Sequence, residues 1–223
     1  MVSELDLQYP PEQCPFCNIA RAYQEPGSKP KNAKAKSALW NPPSQRRLSG
    51  EVDGKEEVSL ESCVPQDHGE NGVDPERTSP ASFVVLASKD GVAFLDILPM
   101  VGGHLLVATR QHRVKVADMK SEEAREMGFW LPILSRVVAR VTGVDDYNIV
   151  QNNGARAAQV VPHVHFHIIP RPGTMPEIKS KSWAMFGRGQ REELDDEHGA
   201  KLAAEMRRVL REEIEKMQRK PKL

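Results

Sequence analysis

The chain has 223 residues, and its 31 Lys and Arg balance 31 Asp and Glu to a formal charge of zero. That balance excludes global electrostatic capture of nucleic acid and gives no acidic bias towards other partners. No apolar run reaches the length of a membrane span, so the expectation is a soluble cytoplasmic protein, with the nucleus open to it, that engages no bilayer.

Cys14 to Tyr23, which carries the CPFC pair Cys14 and Cys17, is expected to form a short helix. From about residue 24 to residue 80 glycine, proline, serine and charge dominate and no hydrophobic period is established. Such a stretch cannot offset its ordering entropy by burial, so 24–80 reads as a long disordered insertion. Within it Cys63 is an incidental thiol and His68 a solvated imidazole. Order resumes with SFVVLAS, a KDG turn and VAFLDI, a hairpin signal, and HLLVATR follows Gly102–Gly103 as a third strand. Ser121 is placed to cap a helix whose Met127, Leu131, Leu134, Val138 and Val141 recur at helical spacing. Pro132 should bend or divide that helix and Gly143 should end it. DYNIVQN and residues 161–169 read as strands joined by a polar loop. Asp195 is placed to cap a long amphipathic helix over 193–218 with Leu202, Met206, Val209, Ile214 and Met217 on its stripe. The whole is an α+β fold, with an antiparallel sheet of about five strands and two main helices. Residues 1–23 and 81–223 form one discontinuous domain around the insertion.

His163, His165 and His167 occupy alternate positions of PHVHFHII. A strand sets these three imidazoles on one face and Val164, Phe166 and Ile168 on the other. Three histidines in a segment that otherwise reads as core call for chemistry. They could hold one zinc ion with an open water position. CPFC offers another arrangement, since its two thiolates need two further ligands to close a tetrahedral site. His104 and His163 could supply them, leaving His165 and His167 free. A redox role for CPFC is the remaining alternative, although no thioredoxin-like βαβ pattern surrounds it.

His165 is then the candidate nucleophile. With its Nδ1 proton on a backbone carbonyl, a neutral imidazole directs Nε2 at phosphorus. His167 could contact the phosphate or assist the leaving group. Asn152, Asn153, Gly154 and Gln159 offer uncharged donors for phosphoryl oxygens in the absence of a P-loop motif. His112, in TRQHRVK, reads as exposed or phosphate-steering. The stretch from Lys179 to Arg191 is basic and aromatic; packing on the domain is weighed against attraction of a polyphosphate.

These residues resemble the histidine triad (HIT) superfamily, whose signature alternates three histidines with apolar residues, as HVHFHII does. CPFCNIA, VAFLDILPMVGGHLLVATRQH and NNGARAAQVVPHVHFHIIPRPG resemble it in the same order, most of all its nucleotide-binding hydrolase branch with a CxxC zinc pair. The resemblance implies a HIT-like fold, a homodimer and hydrolysis at the α-phosphorus of purine nucleoside phosphoramidates or related nucleotide conjugates. The implied route is a nucleotidyl-histidine intermediate on His165, with His167 against the phosphate. It further implies a structural zinc on Cys14, Cys17, His104 and His163, with Asp96 on the ribose hydroxyls. Ile97, Phe16 and Phe94 would line the base and sugar pocket, and Asn152 and Gln159 would surround the phosphate. Val160 stands where many relatives have Ser or Thr, and Ala158 where Gly is common. A dinucleoside polyphosphate hydrolase and a low-activity nucleotide-binding scaffold or sensor are the other readings.

Overall fold

The computed structural model describes residues 12–23, 59–67, 72–174 and 191–219. Strands β1 (Val84–Ala87), β2 (Gly91–Leu95), β3 (Leu105–Thr109), β4 (Tyr147–Gln151) and β5 (His165–Pro170) form one antiparallel sheet. Their order is β1-β2-β3-β5-β4, so the last strand in sequence enters between β3 and the edge strand β4. β1, β2 and β3 are buried at every residue because both sheet faces are covered there.

On one face Leu95, Leu105, Val107 and Ile168 pack against Trp130, Leu134 and Val138 of α2 (Ser121–Thr142) and against Met206 and Leu210 of α3 (Asp196–Gln218). On the opposite face Phe94, Leu106 and Ala108 meet Phe16, Ile19 and Ala20 of the short helix α1 (Pro15–Ala22). His165 pairs with Ala108 and His167 with Leu106. Paired residues of an antiparallel ladder point the same way, so both imidazoles lie on the α1 side.

Helix α2 departs from expectation at its cap, and of the two effects expected of Pro132 division does not occur. Lys120, not Ser121, is the N-cap residue; its N–H donates to the Glu123 carboxylate (2.7 Å), which Arg113 also grips. Pro132 does not divide the helix. One missing N–H and a ring clash cost about 3 kcal/mol, and the buried Trp130, Ile133, Leu134 and Val137 around it offset that. Gly143 ends the helix in the left-handed conformation, and Asp195 caps α3 by accepting the His198 N–H (2.9 Å), both as the sequence suggests.

The ordered domain begins earlier than residue 81. Leu60–Cys63 form a 3-10 turn, and Cys63 and Val64 join the main core. Asp67 pairs with Arg207 and Arg211 of α3, Pro65 O accepts from Arg211 (2.7 Å), and the Tyr23 hydroxyl donates to Asp74 O (2.6 Å). Residues 59–67 and 72–80 therefore belong with the domain. What recruits them is two arginines far along the chain, a signal that local periodicity does not carry. The rest of the expected insertion, His68 included, lies outside the described residues.

Candidate active site

β5 begins at His165, four residues later than the sequence suggests; Pro162, in the lead-in, has no N–H to give a ladder. His163 lies before the strand and its carbonyl turns towards the next histidine. His165 Nδ1 is 2.6 Å from His163 O. A carbonyl can only accept, so Nδ1 carries the proton and Nε2 keeps the lone pair. Burial draws the His165 pKa below its ordinary 6.5, with the bond to His163 O opposing, so the ring is neutral at pH 7.

His165 lines a cavity of about 460 Å³ whose walls include Phe16, Phe94, Asp96, Ile97, His104, Asn152 and His167. The Phe16 ring stands edge-on to His165 at 5.0 Å and 5.2 Å from Phe94. The volume and the largely apolar walls suit a flat aromatic base with a few polar groups to orient it.

Asp96, His104 and His167 form a second line of contacts along one flank. The Met100 N–H donates to His104 Nδ1 (3.3 Å), so His104 carries its proton on Nε2, 3.0 Å from His167 Nδ1. His167 thereby keeps a proton on Nε2 and is a donor. Burial pushes both His104 and His167 down to about 3, so the contact of His104 with Asp96 (3.2 Å) is not an ion pair at neutral pH. Asp96 is itself pushed up by burial, while the Leu98 N–H partly restores the charged form.

This placement corrects the expected metal set. His104 lies in the cavity flank; the fourth member of the sulfur cluster is His112, which reads from the sequence as exposed or phosphate-steering. Donor atoms of Cys14, Cys17, His112 and His163 all lie within 4.8 Å of one another. His163 Nδ1 is 3.3 Å from Cys14 Sγ and 3.5 Å from Cys17 Sγ, and His112 Nδ1 is 3.3 Å from Cys17 Sγ. His163 Nε2 lies 2.7 Å from Thr109 O, which fixes its proton there and turns the Nδ1 lone pair on the sulfurs. Lone pairs facing lone pairs repel unless a proton or cation stands between them. The Cys17 hydrogen bond holds the Cys14 thiol well below its ordinary range against burial, with His163 assisting. The same bond and burial push Cys17 up. A thiolate, a thiol and two imidazoles, oriented from behind by a carbonyl, fit a soft tetrahedral ion such as zinc.

Gln159 is the other correction. It is buried, but its Oε1 accepts the Gly154 N–H (2.6 Å) and its Nε2 donates to Val114 O (2.7 Å), so it ties the loop together and does not line the cavity. Asn152 does line it. Ala158 adopts a left-handed φ of 61°, which explains why Gly suits this position. Val160, at the cavity wall, is 77% exposed.

A model of the HIT domain matches residues 77–174. An adenosine 5'-monophosphoramidase of Schizosaccharomyces pombe is 43% identical over 81 residues, 36% of this chain and 58% of that protein. A HIT-like protein of Methanocaldococcus jannaschii is 44% identical over 89 residues, 40% of this chain and 67% of that protein. The chain thus spans little more than half of the yeast relative's length. Among solved structures, the diadenosine triphosphate hydrolase of Plasmodium falciparum shares the fold at TM-score 0.50 and 20% identity, over 67% of this chain and 86% of that one.

Proposed function

Since this chain belongs to the HIT family, we propose that it hydrolyses purine nucleoside phosphoramidates or related nucleotide conjugates at the α-phosphorus. The observation that carries the proposal is the tautomer of His165: Nδ1 tied to a carbonyl, Nε2 unprotonated, on the wall of an apolar cavity beside a proton donor. The base would lie between Phe16, Phe94 and Ile97, with the ribose hydroxyls on Asp96. His165 Nε2 would bond to the α-phosphorus as the bond to the amine breaks; the neutral His167 would hold a phosphoryl oxygen by its Nε2–H, and the departing nitrogen would take its proton from a water molecule. The hydroxide so formed would then cleave the phosphorus–nitrogen bond to His165, releasing the nucleoside monophosphate and the neutral imidazole. The neutral nucleophile has no proton to shed at pH 7, which is what its depressed pKa provides.

Cys14, Cys17, His112 and His163 would hold a zinc ion. Bound there, zinc supplies a structural cross-link between α1, the end of β3 and the entry to β5, with no open position for water. A homodimer is part of the same reading; Tyr147 and Ile149 of edge strand β4 are 41% and 45% exposed, a surface a second copy could cover. Cytoplasmic placement stays with this proposal; no helix among the described residues is long and apolar enough to cross a membrane.

The test is release of AMP from adenosine 5'-phosphoramidate. His165→Ala should lower turnover by at least about a thousandfold with zinc content unchanged. Turnover retained by that variant would refute the assignment.

A further inference from the structure

Arg191 is the one cationic side chain lining the cavity among the described residues, and Asp96 the one anionic side chain. Arg191 lies beyond residues 77–174, the part of the chain that matches the HIT domain. The lead-in to α3 holds it in place: Leu194 N–H donates to Ile97 O (2.8 Å), and Arg191 Nη1 donates to Leu98 O (3.4 Å). These bonds strap the segment to the loop that follows Asp96. Burial dominates the proton affinities of Asp96, His104 and His167, and on each of them the charge of Arg191 superimposes a downward pull. Arg191 lines the same cavity as His167 and Asp96, so its guanidinium borders the flank on which the phosphate and its leaving group would lie.

An amine leaving group gains nothing from a guanidinium on that flank. A second anion joined to the α-phosphate does, because its charge grows as the bond to phosphorus breaks. We propose that Arg191 is a specificity-determining residue that recognises an anionic leaving group, a phosphate or sulfate joined to the α-phosphate through an anhydride. This deepens the hydrolase reading of the cavity and rests on it. In the step, His165 Nε2 bonds to the α-phosphorus, the anhydride P–O bond breaks, and its electron pair leaves with the phosphate or sulfate oxygen. Such a leaving group departs as an anion and draws on the charge of Arg191, whereas an amine must first take up a proton.

The test is calorimetric titration of the full chain, without magnesium, with AMP, ADP and adenosine 5'-phosphosulfate. Wild type should bind ADP or the phosphosulfate about five- to tenfold more tightly than AMP, the scale of one charge-assisted contact at a partly exposed site. Arg191→Gln should erase that margin, and Arg191→Lys should restore part of it. Asp96 serves all three ligands, so a change in its ionisation cancels in the ratio. Whichever of ADP and the phosphosulfate shows the larger margin identifies the anion. No margin in wild type, or one that Arg191→Gln keeps, would overturn the proposal. Failure of wild type to hydrolyse any conjugate would instead count against the hydrolase reading, and the binding ratio would still judge Arg191.

Discussion

His163 and His165 stand two residues apart and present their imidazoles to opposite ends of the same sheet face. His163, fully buried, gives its Nε2 proton to Thr109 O and turns Nδ1 on two sulfurs. His165 gives its Nδ1 proton to His163 O and keeps Nε2 for the cavity. The side chains are chemically identical; which nitrogen meets a carbonyl decides which lone pair remains, and so whether the ring suits a metal or a phosphorus atom. The carbonyl of the first histidine orients the second, so the sulfur cluster and the cavity are joined through one backbone group.

The largest effect that would sharpen this contrast is on the metal. Cys14→Ser with Cys17→Ser, or His112→Ala alone, should remove zinc and lower stability on the order of several kcal/mol, read by metal analysis and thermal unfolding. His104→Ala should leave zinc in place and lower turnover roughly tenfold to a hundredfold by releasing His167. Zinc lost from His104→Ala but kept by His112→Ala would break the division between the two ends.

A smaller effect separates the ends by pH. His104 and His167 have folded pKa values pushed to about 3 from an ordinary 6.5, so the unfolded chain binds protons that the folded chain refuses. Stability from these groups is complete above about pH 6.5 and falls as pH drops from there towards 3. Denaturant midpoints measured across that window should decline in wild type and decline less in His104→Ala. Smallest is Val160→Ser, which restores a hydroxyl at the cavity wall. Turnover of amine-leaving substrates should rise a few-fold with stability unchanged, because the site is exposed.

Much of the sheet was legible because β1, β2 and β3 follow one another with turn residues between them, and α3 announces itself by its cap and stripe. The place of His165 on a strand was legible for the same local reason: alternate histidines in an apolar run. The choice between His104 and His112 was not local. β3 and β5 are antiparallel, with Leu105 opposite Ile168 and Ala108 opposite His165. That register brings the start of β3 to the later part of β5, hence His104 to His167, and the end of β3 to its beginning, hence His112 to His163. The signal lay in the pairing of two strands separated by α2 and β4, and spacing along the chain does not reveal it. Gln159 misled in a similar way: its amide suits a phosphate, but Gly154, Val114 and the loop they define take its hydrogen bonds first. Asp67 was hidden by the polar stretch around it and is explained by Arg207 and Arg211.

The central claim, that His165 is the group which bonds to phosphorus, is tested most directly by acid-free quenching of the protein with adenosine 5'-phosphoramidate and peptide mass spectrometry of the adduct. The account predicts an adenylyl group on His165, absent from His165→Ala while zinc is retained. An adduct on His163 or His167, or full hydrolysis with no covalent adduct at any time point, would contradict it.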